Sequence, residues 1–437
     1  MKTKISLLLL FCGISSGAFA QGFNPALAAN LQSTIDSMRL VQNVRGISAC
    51  VFYPGVGTWK GVSGISYPGS LMNSELEFGI ASNTKLFTGV MVLQCAENGL
   101  LTLDDSLHEH LPPFNNIDSN ITIRQLLNHT SGLYDVTSVP GYPDSIFNDP
   151  NRIFTPSELI SWAGPPVFAA GTGWDYCNTN YILAGMIAES VTGLSYGQLL
   201  RDSILSPLQL DSTFLDVHDS LLYPVAHPWQ AGVDNYPVPR IALNSAAWAA
   251  GAMYSTASEM VQWYQALMNG QVLSPASFQE LTSFVGSGNY GIGISEVIVQ
   301  GRIVWTHGGN IWGGYNSNMI YDVATGAIIC VLINQIPAQS NLVSIQLLTT
   351  LINTTGGVAD QTTHHESIII TPNPATDVVR VQCPGQYIRG LQLLNTAGQV
   401  LDVSCESQLG MDRFPAGIYV LLVETDLGQH RRKIVKR

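Results

Sequence analysis

The sequence predicts a mixed α/β fold of the α+β type. One antiparallel sheet is flanked by helices, a helical region fills the middle of the chain, and a small C-terminal β-sandwich follows. Three observations lead there. Strand-like runs gather at both ends of residues 30–355 while helical periodicities lie between them, the pattern of one sheet completed by both ends of a chain. A polar break at 356–366 is followed by short alternating runs of different texture. The 437 residues are 46% hydrophobic and 11% charged, enough for two or three domains with a large core and too apolar for a solvated coil.

The elements follow in order. Leu31, Ile35 and Met38 recur at helical spacing, so a first helix is predicted over 30–40. Residues 46–52 and 58–66 read as two strands joined through Gly55-Val56-Gly57. A helix then runs from Ser82 to Asn98, stopped by Gly99. Its Leu86, Val90 and Leu93 form an apolar stripe that Phe87, Met91 and Val92 widen, so it belongs in the middle of the protein. Thr122 caps a helix over 123–128, and two more span 180–192 and 255–268, closed by Gly193 and Gly270. Strand patterns return at 290–299, 301–307, 316–321 and 327–334, the last two as a hairpin, and 346–353 closes as a helix. Beyond the break, 378–383, 388–394, 399–403 and 417–424 are short β runs, with turns at Ala397-Gly398 and Pro415-Ala416-Gly417. The predicted division is 1–20 signal peptide, 21–355 main domain, 356–366 linker and 367–437 β-sandwich.

The signal peptide rests on Lys2 and Lys4, an apolar run over 5–11, and Ala18-Phe19-Ala20 before Gln21. That run is too short to span a membrane, no later stretch is long and apolar enough, and Cys12 lacks the small preceding residue that a lipid anchor requires. Residues 21–366 hold 25 Asp+Glu against 9 Lys+Arg, a net of −16, which argues against nucleic acid as a partner. The seven cysteines include one in the signal and make no dense disulfide framework. Cys50, Cys95 and Cys330 sit in apolar runs as small buried hydrophobes, whereas Cys383 and Cys405 could pair in an oxidising compartment. No metal or cofactor is expected. There is no C-x-x-C or H-E-x-x-H pattern, and His364-His365 lies in the polar break.

Chemistry enters at Ser82-Asn83-Thr84-Lys85. Between the signal and residue 366 the only lysines are Lys60 and Lys85, and Lys85 stands one helical turn after a serine. At this spacing the two side chains share a helix face, roughly 5–6 Å apart at Cβ. Burial would make the amine lose its proton more easily, so that it could activate the serine oxygen for attack. The pair alone does not establish this, because S-x-x-K arises by chance on the order of once per chain of this size. A serine–lysine site also needs a second proton handler, an anchor for the substrate amide and an oxyanion hole. The chain offers Tyr176-Cys177-Asn178 before a helix, and His307-Gly308-Gly309 at the end of a strand and the start of a turn.

Four ordered stretches together resemble the serine β-lactamase and penicillin-binding protein family, in its class C, D,D-carboxypeptidase and esterase branch. They are 80–88 (IASNTKLFT), 122–134 (TIRQLLNHTSGLY), 173–185 (GWDYCNTNYILAG) and 306–315 (THGGNIWGGY). The resemblance covers roughly 30–355. It implies a β-lactamase/transpeptidase-like fold and acyl transfer through an acyl-serine, on a small-molecule or peptide substrate. In that scheme Ser82 is the nucleophile, Lys85 its base and Tyr176 the second proton handler. Asn178 holds the substrate's amide carbonyl. His307 lines the strand edge, Gly308 and Gly309 let the substrate backbone approach, and the backbone N–H groups of Ser82 and Asn310 form the oxyanion hole. Cys177 departs from the Ser common in relatives and is expected to point into packing. His307 departs from the Lys common in β-lactamases. A histidine near its ordinary pKa of about 6.5 would make carboxylate-bearing substrates react better as pH falls. His129 is expected to be a structural hydrogen-bonder, while Trp174, Trp305, Trp312 and Tyr315 are divided between groove and core. Three functions stay open: a hydrolase of D-amino-acid peptides or small esters, a β-lactamase, and a catalytically silent peptidoglycan-binding protein.

Residues 367–437 resemble the C-terminal sorting domain of the type IX secretion route of Bacteroidetes, through Thr371-Pro372-Asn373-Pro374-Ala375-Thr376, Asn395-Thr396-Ala397-Gly398, Pro415-Ala416-Gly417-Ile418-Tyr419 and the basic end 433–437. The resemblance implies that secretion machinery is a partner, and that the protein travels via the periplasm to the surface or medium.

Overall fold

The structure is a computed structural model that describes residues 23–219, 224–237, 240–359, 369–373, 375–382, 388–395, 400–404, 406–425 and 428–437. The signal segment, His364-His365, Cys383, Cys405 and most of the Ala397-Gly398 turn lie outside the described residues.

The chain divides into two compact units, Met1–Thr354 and Thr355–Arg437. The first is built on a seven-stranded sheet. In chain order its strands are β1 (Gly46–Tyr53), β2 (Gly57–Tyr67), β3 (Ser70–Leu71), β4 (Ser295–Val299), β5 (Arg302–Ile311), β6 (Tyr315–Asp322) and β7 (Ala327–Ile333). Across the sheet they run β3-β2-β1-β7-β6-β5-β4. The two ends of the unit meet where β1 pairs antiparallel with β7, Cys50 opposite Cys330. β7 is buried throughout and faces two cores. Ile329, Val331 and Ile333 turn to one face, while Ile328, Cys330 and Leu332 turn to the other, as the two-residue period of a strand requires. Five helices frame the sheet: α1 (Pro25–Gln42), α2 (Thr84–Glu97), α3 (Asn178–Thr192), α4 (Ala257–Met268) and α5 (Ser340–Ala359). Leu31 and Ile35 of α1 pack with Val343, Leu347 and Leu351 of α5 on the first face. α2, α3 and α4 share the larger core on the second.

Several boundaries differ from the sequence-based expectation, and three of them bear on the architecture. The strand expected from Tyr290 begins at Ser295, because Gly293 (φ +73°) lies so close to the α2 backbone at Leu86 that a Cβ would clash there. β5 does not end at His307. It continues to Ile311, with Gly309 opposite Ser317 and Asn310 opposite Asn316, and glycines read as a turn are strand residues. α5 runs on to Ala359, so the first residues of the predicted linker are helical. Among the described residues, no helix is long and apolar enough to cross a membrane.

The second unit is two sheets on one core. Three strands (Ile369–Thr371, Val378–Gln382, Gln408–Gly410) face four (Val400–Ser404, Ile388–Leu394, Gly417–Thr425, Gly428–Lys436). Val379, Val381, Leu391, Leu393, Leu421 and Val423 fill the space between them. The basic end is the last strand, paired with Gly417–Thr425, and Ile434 anchors it in the core.

Candidate active site

Ser82 sits in a tight turn, Ala81–Asn83, that leads into α2. Ala81 is held at φ +50°, a left-handed conformation that costs a residue with a side chain roughly 1 kcal/mol or more. The clamp is Ser317 on β6. Its hydroxyl donates to Ile80 O at 2.7 Å and accepts from Asn83 Nδ2 at 2.8 Å, gripping the turn on both sides of Ser82. β5 passes directly beneath. A Cβ on Gly309 would clash with Ile80 O and Ser317 Oγ, whereas one on Gly308 would meet nothing closer than 3.9 Å. Packing against the Ser82 turn is by itself enough to require glycine at 309. Gly308 is the open one.

Lys85 is fully buried on α2. Its Nζ lies 3.1 Å from Ser82 Oγ, 2.7 Å from Asn178 Oδ1 and 2.8 Å from Ala250 O. Burial lowers its pKa to about 7, against the opposing pull of Asp135 and Cys177. The hydrogen-bond count is informative. Asn178 Oδ1 and Ala250 O can only accept, so they take two N–H groups. A neutral amine then has one lone pair left, and Ser82 O–H is its remaining partner.

The segment over 122–134 holds the second wall. His129 Nδ1 accepts from Cys177 N at 3.1 Å and faces Asn180 Nδ2 at 3.0 Å. Tyr181 donates to Leu127 O, and Ser131 to Asn180 Oδ1. These bonds pin the start of α3, so that Tyr176 and Asn178 face Lys85. His129 is thus the structural hydrogen-bonder expected, and Cys177 is buried in packing at 2% exposure. The Tyr176 ring lies 4.9 Å from Lys85 Nζ. Its buried hydroxyl makes no hydrogen bond of ordinary geometry. Burial raises its pKa well above the usual phenol value, opposed by Ser82 beside it. Tyr176 therefore keeps its proton wherever Lys85 has begun to lose one.

Asn178 lines both cavities beside Ser82, and its amide is also bonded within the protein. Its oxygen serves Lys85, and its nitrogen donates to Asp135 Oδ2 at 2.9 Å and Thr137 Oγ1 at 3.4 Å. Both ends are engaged inside the protein. His307 differs from the expectation. Its ring is buried against Tyr176 and Tyr290. Nδ1 lies 2.6 Å from Gly308 O, which only accepts, so Nδ1 carries the proton and Nε2 accepts from Tyr290 O–H at 2.9 Å. Burial and the nearby Lys85 depress its pKa to about 3. A histidine neutral down to that pH supplies no cation for a carboxylate near neutrality, which overturns the expected acid-side gain.

Two cavities meet at Ser82, Asn178 and Asn310. One, of about 530 Å³, is walled largely by apolar groups including Tyr142, Ile146, Ile182, Leu243, Ile311 and Trp312. The other holds Trp174, Tyr176, Tyr290, His307 and Gly308. Among the described residues, none with a permanent charge lines either. Trp305 faces Phe278, Phe284 and Tyr321 instead, and Tyr315 is core, donating to Ala226 O. Sequence reasoning missed Asp135, Tyr290 and Ser317. Only Asp135 had a signal, an acid directly after the segment over 122–134.

A serine bonded to a buried lysine amine, on a helix beneath an antiparallel sheet edge, places the chain among the serine hydrolases. Residues 31–345 match the beta-lactamase family model and 370–437 match the secretion system C-terminal sorting domain. The chain belongs to the beta-lactamase family and ends in a type IX sorting domain. Among solved structures it is similar to a D-stereospecific amidohydrolase from Streptomyces sp. (30% identity, TM-score 0.63, 70% of this chain and 94% of that one). It is also similar to the D-amino acid amidase of Ochrobactrum anthropi SV3 (26%, TM-score 0.68, 76% and 99%). Among curated proteins, Staphylococcus aureus (strain MW2) protein flp is 37% identical over 159 residues, spanning 34% of this chain and 31% of flp. Bacillus subtilis (strain 168) penicillin-binding protein 4* is 28% identical over 270 residues, spanning 56% and 57%. The chain therefore matches about a third to somewhat over half of the length of these curated relatives.

Proposed function

We propose that this protein is an exported serine hydrolase that cleaves amides or esters with an apolar acyl group and an uncharged leaving side, D-amino-acid amides foremost. The observation that carries it is the Lys85 coordination. With two N–H groups spent on Asn178 Oδ1 and Ala250 O, the amine's lone pair is aimed at Ser82. Neutral Lys85 takes the Ser82 proton as Oγ attacks the carbonyl carbon. The backbone N–H groups of Ser82 and Asn310 receive the oxyanion, worth about 2.7–4 kcal/mol per donor in comparable sites. Tyr176, still protonated, donates to the leaving nitrogen or oxygen. As water attacks the acyl-serine it gives one proton to Tyr176, Lys85 returns its proton to the departing Ser82 Oγ, and the acid is released.

The apolar cavity suits the acyl side chain. The cavity shared by Tyr176 and neutral His307 suits an amide or ester rather than a free carboxylate. This favours amidase or esterase chemistry over β-lactam hydrolysis, and the two amidohydrolases among the similar structures support the same choice. The assembled Ser82–Lys85–Tyr176 group argues against a silent binding protein. Export runs through the periplasm and then the type IX machinery, which reads the C-terminal domain.

The test is covalent labelling with a fluorophosphonate and with fluorescent penicillin, read by intact mass, beside turnover of an N-acyl-D-phenylalanine amide and its free-acid dipeptide counterpart. Wild type should gain one phosphonate adduct and Ser82→Ala none, while Lys85→Ala should label about 10²–10⁴-fold more slowly. The amide should be preferred over the dipeptide. An adduct on Ser82→Ala sinks the nucleophile, and preference for the dipeptide or faster turnover of penicillin sinks the substrate class.

A further inference from the structure

Asp135 stands outside the reacting group, yet it is bonded to both the backbone and the side chain of Asn178, the residue that contacts Lys85. Its Oδ2 accepts from Asn178 N at 3.2 Å and from Asn178 Nδ2 at 2.9 Å. Its Oδ1 accepts from Thr137 N and Thr137 Oγ1, both at 2.9 Å. Cys177, the residue before α3, supplies no side-chain cap to that helix. Asp135 caps it from another segment, placing a carboxylate where a helix N-terminus favours negative charge. Thr179 Oγ1 ties the same loop down, donating to Tyr134 O and accepting from Val136 N.

We infer that Asp135 is a positioning residue for proton transfer: it fixes the Asn178 amide with its nitrogen outward and its oxygen on Lys85, so that the lysine's lone pair is left for Ser82. The physical point is polarity. A carboxylate can only accept, and a lysine bonded at 2.7 Å is a donor. Asn178 between them has one orientation that satisfies both. Turned over, the amide would present N–H groups to the amine, and the lone pair would be drawn from Ser82 to Asn178. Thr137 Oγ1 is the second acceptor holding the nitrogen in place. Asp135 thereby keeps Asn178 in the service of the base.

The inference rests on the proposed acyl-serine chemistry, and its test separates the two. The rate of Ser82 phosphonylation by a fluorophosphonate is followed from pH 5 to 9 in the full chain, with the folded fraction measured by circular dichroism. The groups facing Lys85 are Asp135, Cys177, Tyr176, Tyr181, His129 and His307. Among them Asp135 is the carboxylate that holds the amine's proton on. Asp135→Asn is nearly isosteric. It is expected to lower the plateau rate at least tenfold and to move the acid limb to lower pH by about half a unit or more. Thr137→Val keeps the charge and should lower the plateau at least threefold with the limb unmoved. If either change is missing in Asp135→Asn, or if its loss only follows the folded fraction, Asp135 is structural and the inference fails. Should Asp135→Asn not fold, an unchanged plateau in Thr137→Val overturns it equally. A wild type that takes no label fails the proposed function instead.

Discussion

At neutral pH the Lys85 amine is divided between two protonation states, and only one can act as a base. With its pKa lowered to about 7 by burial, the ammonium dominates below that pH and offers Ser82 a donor where an acceptor is needed. Acylation should therefore fall about tenfold per unit on the acid side and level off above about pH 8. His307 adds nothing in this window, because its pKa of about 3 leaves it neutral. A neutral ester and a carboxylate-bearing analogue should then give kcat/KM profiles of the same shape between pH 5 and 9. A carboxylate profile that rises toward acid would falsify the neutral, inward-facing His307. The serine and lysine were legible in sequence because a rare residue stood on a helix too apolar to be exposed. Asp135 had only its place directly after the segment over 122–134, and nothing in an acidic chain announces the atom that one acid faces. The buried orientation of His307 was equally hidden, because it depends on Tyr290, seventeen positions earlier in the chain.

The turn over Ala81–Asn83 has no strong local preference for its shape, and φ +50° at Ala81 is unfavourable in isolation. What imposes it is the neighbouring strand pair, Ser317 gripping Ile80 O and Asn83 while Gly309 lets β5 lie against both. Substitution on the two adjacent glycines should therefore separate stability from chemistry. Gly309→Ala drives a methyl into Ile80 O and Ser317 Oγ and should cost about 1–3 kcal/mol, read as a lowered midpoint in urea, with slower acylation because the turn shifts. Gly308→Ala has open space on its cavity side and should leave the midpoint within about 0.5 kcal/mol while raising KM. Equal midpoints for the two variants would show that β5 does not brace the turn. The same strand explains a misreading. His-Gly-Gly looked like a strand ending in a turn, because glycine is the usual mark of a turn. Here its missing Cβ is used for close packing inside a ladder that continues to Ile311.

Over the whole molecule, the order of strands and helices was readable because each element carries its own period, and the meeting of β1 with β7 followed from strand patterns at both ends of the unit. The ends of elements were less readable, since they depend on what packs against them, as at Gly293 and along α5. In the second unit the basic end concealed a strand: the charges of Lys433, Lys436 and Arg437 dominate its composition, while Ile434 lies in the core. The two units have separate cores. Val379, Leu391, Leu421 and their neighbours belong wholly to the second, and the two faces of the large sheet belong to the first. Units with cores of their own should each have their own unfolding transition. A chain ending at Glu366 is therefore expected to keep the fluorophosphonate labelling rate within twofold and the Tm of the hydrolase transition within about 2 °C. It should lose export, because the sorting domain is gone. Fractionation of cells with a type IX system should find the full chain at the surface or in the medium and the shortened chain in the periplasm, both labelled at Ser82. A shortened chain that unfolds would show that the hydrolase depends on its tail, and one that still reaches the surface would remove the sorting role from residues 370–437.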